Sequence, residues 1–223
     1  KNSSKLAWND YKHRRENFIM SSSSIGERFV LTSFGESHGR CIGAVVDGCP
    51  AGLELEEKDI QKMLDLRKPG QSIVTTQRKE GDMVEILSGV FRGYTTGAPI
   101  AMIIWNQDQN SRDYEKLRTK PRPGHSDYPA WVKYKGLNDY RGGGRFSGRL
   151  TATFVMAGAI ARKLLSVTLG IDTYSYTSQV GKIKMKGQAT PKMKKAIYSN
   201  EVRCPDQKTA QKMRALILAA RKR

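Results

Sequence analysis

The chain has 223 residues, 38% of them hydrophobic, and its 39 lysines and arginines outnumber 21 aspartates and glutamates to give a net charge of +18. That length is enough to bury a core of its own, while the longest uncharged apolar run, residues 154–161, is too short to cross a bilayer and no secretory signal stands near the start. Three cysteines (Cys41, Cys49 and Cys204) form neither a disulfide framework nor a metal-ligand spacing, so the expectation is a reducing compartment, cytoplasm or plastid, and no metal site.

Residues 1–24 are polar and without periodicity, and read as an extension ahead of one domain over 25–223. Strand-like runs follow at 29–34 and 42–46. Residues 56–66 place Ile60, Met63 and Leu64 at helical spacing, with Pro69-Gly70 as the stop. Residues 84–87 and 100–105 read as strands. A loop-rich block over 106–148 is interrupted by an aromatic segment, 128–134, whose pattern fits either state. Residues 150–165 are apolar on most sides, as a buried helix is. A strand is expected over 171–180 and an amphipathic helix over 206–223, with Met213, Leu216, Ile217 and Ala220 on one face. The strands do not alternate simply with helices, so the expected class is α+β, with antiparallel or mixed sheets packed against helices.

The charge is uneven. Residues 182–223 hold 13 basic and 2 acidic residues, as a solvated helix face or tail would. The middle, 21–181, is nearly balanced, with 21 basic against 17 acidic residues. Within it, residues 118–149 carry 8 basic and 2 acidic residues, and this patch coincides with Arg122-Pro-Gly-His125-Ser-Asp127 and Asp139-Tyr-Arg141-Gly-Gly-Gly-Arg145-Phe146-Ser147-Gly-Arg149. Triple glycine is costly in a helix or strand and useful where backbone N–H groups must approach a ligand. Arginines beside it supply forked, permanent donors for phosphate or carboxylate. His125 adds a group able to exchange a proton near neutral pH. The pattern points to a pocket for a polyanionic small molecule. The plainer alternatives are a capping histidine and an RGG-like nucleic-acid element.

A second glycine-bracketed block, Phe34-Gly35-Glu36-Ser37-His38-Gly39, lies between two expected strands. It places His38 on an exposed turn, with a surface histidine as the plain alternative. Adjacent residues rarely face one another, so Ser37 beside His38 is not read as a hydrolytic pair, and no nucleophile elbow is present. Arg67 and Lys68 at a helix end would also be explained by the helix dipole. Thr75-Thr-Gln-Arg78-Lys-Glu80 is open to the same two readings.

Together these blocks resemble the chorismate synthase family. Gly35-Glu-Ser-His-Gly-Arg-Cys-Ile-Gly-Ala-Val-Val-Asp-Gly-Cys-Pro50 is similar to its first signature. Gly144-Arg-Phe-Ser-Gly-Arg-Leu-Thr-Ala-Thr-Phe-Val-Met-Ala-Gly-Ala-Ile160 is similar to its second. Arg67-Lys-Pro-Gly-Gln-Ser72, Thr75-Thr-Gln-Arg78, Leu87-Ser-Gly-Val-Phe91, Thr95-Thr-Gly97 and Arg122-Pro-Gly-His-Ser-Asp-Tyr128 lie between them in the family's order.

The resemblance implies a β-α-β sandwich-like fold and an anti 1,4-elimination of phosphate from 5-enolpyruvylshikimate 3-phosphate, giving chorismate. It implies reduced FMN, required but not consumed, with NADPH as a candidate flavin reductant, and a homotetramer. It implies His38 as proton donor at the departing phosphate and His125 beside the flavin. Arg145, Phe146 and Ser147 match a flavin-binding segment, and Arg67 matches an anion-binding position. Arg141 and Arg149 are further anion-binding candidates without an assigned role.

Ile73 stands where family members often carry arginine. The family continues past the position of Arg223 with flavin contacts and an arginine–aspartate segment. The expectation is therefore the N-terminal part of an enzyme, with residues 1–223 alone inactive and poorly folded. The alternatives are a catalytically dead anion-binding or assembly domain and a basic nucleic-acid-binding protein. No specific nucleic-acid or membrane partner is expected.

Overall fold

The early apolar runs pair with one another into a sheet. The computed structural model describes residues 23–67, 81–107, 114–115 and 118–222. Its strands are β1 (Ser24–Ile25), β2 (Val30–Gly35), β3 (Cys41–Asp47), β4 (Val84–Ile86), β5 (Val90–Phe91), β6 (Tyr94–Thr95), β7 (Ile100–Trp105), β8 (Gln179–Val180) and β9 (Ile183–Lys184). Its α-helices are α1 (Glu57–Arg67), α2 (Asp127–Lys133), α3 (Thr151–Leu169), α4 (Lys194–Ile197) and α5 (Gln207–Arg221). The principal sheet runs β1-β2-β3-β7-β4, and every pairing in it is antiparallel.

Strand period decides which side of this sheet is wet. Leu31, Ile42, Ala44, Val46, Ile100, Met102 and Ile104 share one face and are buried. α1 covers that face with Ile60 and Leu64, and α3 with Ala152, Met156, Ala159 and Ile160. Ser33 and Thr153 add a buried hydroxyl pair, 2.7 Å apart, between β2 and α3. On the opposite face Phe34 and Trp105 are exposed. The class is α+β, a sheet with helices on one side.

α3 extends past the expected end at 165. Gly170 closes it in the left-handed conformation, φ 64°, where its N–H bonds to Ser166 and that of Ile171 to Leu165. The helical run Arg141–Leu169 is long and apolar enough to cross a membrane by length and composition alone. In the fold, α3 lays its small and apolar face on the sheet as a core helix does. Phe154 on its outer side is 50% exposed.

Residues 171–222 form a second, smaller core. Met185, Val202, Cys204, Ala210 and Met213 are buried together there. Asp206 caps α5 by accepting from the Thr209 N–H at 2.7 Å.

Three expectations change. The strand expected over 171–180 shrinks to β8. Upstream of it Tyr174 donates its hydroxyl to the Ala189 carbonyl and Tyr176 accepts from the Ala189 N–H, while the Thr177 N–H donates to the Arg203 carbonyl outside any ladder. The aromatic segment resolves as helix α2. Ser24, assigned to the polar extension, belongs to the sheet, pairing with Thr32. The Pro69-Gly70 stop, Ile73, residues 75–80 and residues 1–22 lie outside the described residues.

Candidate active site

His38 is only 5% exposed, which corrects the exposed turn expected for it. The turn 36–40 between β2 and β3 is roofed by a distant glycine loop. Gly142, at φ 58° and ψ 20°, lies so close that a Cβ there would stand 2.2 Å from Cε1 and Nδ1 of His38. Glycine is required twice over at this position, by the sign of φ and by the absence of room. The loop is pinned by the Ser37 N–H donating to the Gly144 carbonyl at 3.2 Å. Gly144 is itself committed to glycine, since a Cβ would meet the Asp139 carbonyl at 2.1 Å. On another side the Tyr114 ring packs edge-on against the imidazole, centroids 4.8 Å apart.

Ser37 does face its neighbour, contrary to expectation, because burial of the turn brings both side chains under the same loop. Its Oγ lies 3.0 Å from His38 Nδ1, 3.1 Å from the Gly142 carbonyl oxygen and 3.3 Å from that of Arg141. Carbonyls only accept, so the single hydroxyl proton goes to them. Oγ then accepts from Nδ1–H. The tautomer of His38 follows, with a proton on Nδ1.

Behind this turn runs a polar network. Asn106, the residue after β7, donates its side-chain amide to the carbonyls of Glu36 (3.0 Å) and Gly39 (2.8 Å). Its backbone N–H donates to the Arg40 carbonyl. Arg149 donates from Nε to Asn106 Oδ1 at 2.6 Å and from Nη1 to Asp82 Oδ1 at 2.7 Å. The other oxygen of Asp82 accepts from Arg67 Nη1 at 3.1 Å. Arg67 also donates to the Gly148 carbonyl and to Thr151 at the start of α3. Arg149 is 6% exposed and so stands behind the site wall. Arg67 is held by the same carboxylate.

The remaining candidates gather along the glycine loop. His125 is exposed, and its Nδ1 donates to the Pro123 carbonyl at 3.2 Å, which leaves Nε2 outward. Arg122 grips Asp127 through two nitrogens at 2.8 and 3.0 Å. That hydrogen bond is the main reason the Asp127 carboxyl lies below the usual carboxylate range. Arg141 grips Asp139 in the same way. Burial alone would raise the Asp139 pKa, but the bonds from Arg141 prevail and lower it, with the field of His38 adding to them. Arg145 donates to Ser33 Oγ at 2.8 Å. Phe146 shows 44% of its surface. Ser147 accepts from the Arg149 N–H and so caps the turn Gly148–Leu150.

Gly143 sits differently from its neighbours, because a Cβ there would have nothing closer than Arg122 Nη2 at 3.8 Å. It opens onto a cavity of about 500 Å³ walled by Tyr128, Trp131 and Tyr140, with Arg118 and Asp139 also lining it. His38, Ser37, Asp139, Arg122, Arg141 and the glycines therefore form one neighbourhood. Sequence reasoning missed Asp82, Asn106 and Tyr114. The available signal was weak, a polar residue closing the apolar run of β7 and another just ahead of β4.

The buried histidine, the glycine loop and the paired arginines together make a candidate site for a small anionic ligand. The family model for chorismate synthase matches residues 29–223. The chorismate synthase of Dehalococcoides mccartyi strain BAV1 is 51% identical over 199 residues, covering 89% of this chain and 54% of its own length. That of Korarchaeum cryptofilum is 51% identical over 203 residues, covering 91% and 56%. A chorismate synthase crystal structure superposes with a TM-score of 0.67 at 29% identity, over 88% of this chain and 54% of the other. This chain belongs to the chorismate synthase family. It spans about half the length of the curated relatives it matches.

Proposed function

We propose that the protein carrying this chain performs the chorismate synthase reaction, the anti 1,4-elimination of phosphate from 5-enolpyruvylshikimate 3-phosphate. The observation that carries this reading is His38, buried under Gly142 with its Nδ1 proton committed to Ser37. In this reading Nε2 is the nitrogen that acts on the ligand. In the reaction the C–O bond to phosphate breaks with its electron pair on the departing oxygen, and a proton is lost from the far end of the 1,4 system. His38, as imidazolium, holds its Nε2 proton for that oxygen. The ionised Asp139 carboxylate contributes a negative field on that charge.

The residues fit a flavin. Gly143 leaves backbone open to a ligand, aromatic rings wall the cavity beside it, and Arg145, Phe146 and Ser147 follow directly. In this reading Arg145 holds an anionic group, Phe146 lies against a ring, and His125 presents Nε2 to the cofactor. Reduced FMN, when bound, supplies an electron-rich ring that is required but regained unchanged. Arg67, Arg141 and Arg149 contribute positive potential to the site wall, although each bonds an internal carboxylate. NADPH as flavin reductant, a homotetramer and a cytoplasmic or plastid location follow from the family resemblance.

The test is an FMN titration of the whole protein by flavin fluorescence, with and without substrate, alongside chorismate absorbance under reduced FMN. Tighter flavin binding with substrate and turnover are expected. A folded whole protein that neither binds FMN nor forms chorismate would overturn the reading.

A further inference from the structure

We propose that Asn106 is a positioning residue for the reaction, holding the His38 turn in place as the last link of a buried chain Asp82–Arg149–Asn106. This rests on the reading of His38 as proton donor. Within residues 36–40 the Gly39 N–H donates to the Glu36 carbonyl at 3.1 Å, and Ser37 Oγ bonds His38 Nδ1 at 3.0 Å. That same Glu36 carbonyl and those of Gly39 and Arg40 accept from Asn106, at 3.0, 2.8 and 3.0 Å. The two amide hydrogens of Asn106 and its backbone N–H therefore fix both ends of the segment carrying Ser37 and His38.

The orientation of that amide is forced rather than chosen. Asp82 is fully buried at its side chain and, ionised, only accepts. Arg149 only donates. A donor at Nε obliges Asn106 to turn Oδ1 towards Arg149 and its nitrogen towards the turn. The sense of every bond thus propagates from the carboxylate to the carbonyls on either side of His38. Asp82 can do this because Arg67 and Arg149 occupy separate oxygens, and a buried charge survives when it is paired in this way. The assignment also accounts for Arg149, whose burial keeps it from acting as a surface anion ligand.

Two substitutions in the whole protein isolate the link. Asn106→Asp retains an acceptor for Arg149 and sets carboxylate oxygen against two carbonyls. Asn106→Ser is smaller and introduces no charge. Each should lower kcat about 10²-fold, the scale of a reacting group misplaced by roughly 1 Å, while FMN affinity stays near that of the unaltered protein. Amide exchange in the peptide spanning 36–41 should quicken.

Combining either substitution with His38→Ala should add little to the loss from His38→Ala alone, because residues acting through one group are not additive. Full additivity, or an intact kcat in both Asn106 variants beside a slow His38→Ala, overturns the positioning role and leaves the His38 reading standing. An intact rate in His38→Ala overturns the proton-donor reading, and the role assigned to Asn106 with it.

Discussion

His38 and His125 carry different risks when replaced. His38 fills space between Gly142 and Tyr114, whereas His125 lies on the surface. In the whole protein, His38→Ala and His125→Ala should each slow turnover by about 10²–10⁴-fold, the usual contribution of a positioned proton-transfer group. Only His38→Ala should also lower the denaturation midpoint, because only it empties buried volume. Chorismate absorbance and a urea titration separate the two effects. Unaltered rates in both variants would return these residues to structural roles. The residue types of the site were legible in the sequence, since histidine, arginine and triple glycine rarely cluster without purpose. Burial of His38 was not. It depends on a loop 105 residues beyond Ser37, and nothing near His38 announces that contact. Asp82 and Asn106 were invisible for the same reason, as single polar residues whose partners are remote.

Among the elements, β3, α1, β7 and α5 formed close to where their apolar residues placed them, because each lays an apolar face on a core. The segment 171–178 did not, since β propensity needs a partner strand and here the Thr177 N–H goes to the isolated carbonyl of Arg203 while two tyrosine side chains reach Ala189. The short helix α2 depends on a cap of another kind. Asp127 at its first turn accepts from the side chain and the backbone N–H of Arg122. Its pKa is lowered in the fold, so the stabilisation is present above the unfolded carboxylate pKa and is lost as pH falls through the lower, folded value. The pair is partly exposed, and solvent screening keeps its contribution small. Asp127→Asn should therefore cost a little stability at neutral pH and remove an acid-side loss that the unaltered protein shows. Urea midpoints measured from neutral pH down into the acid range test this. Parallel pH profiles for the two proteins would count against it.

At the scale of the molecule, a net charge of +18 confronts a substrate with a phosphate and two carboxylates in the proposed reaction. Long-range attraction should raise its capture rate, so kcat/KM should fall as salt screens the field, while kcat changes little. Stopped-flow or steady-state rates across a series of ionic strengths provide the measurement, and a flat kcat/KM would show that the basic surface has no part in capture. The two cores have a consequence of a different kind. The residues buried around β3 and α3 and those buried around α5 are separate sets, joined by ties such as Arg162–Asp172 and the Arg203 donor to the Leu66 carbonyl. Such a molecule has more than one way to come apart. Native-state deuterium uptake should resolve two cooperative opening units, with 171–222 opening at the lower free energy. A protease offered the folded protein should then nick the lysine-rich stretch 182–195 while the five-stranded sheet is still intact.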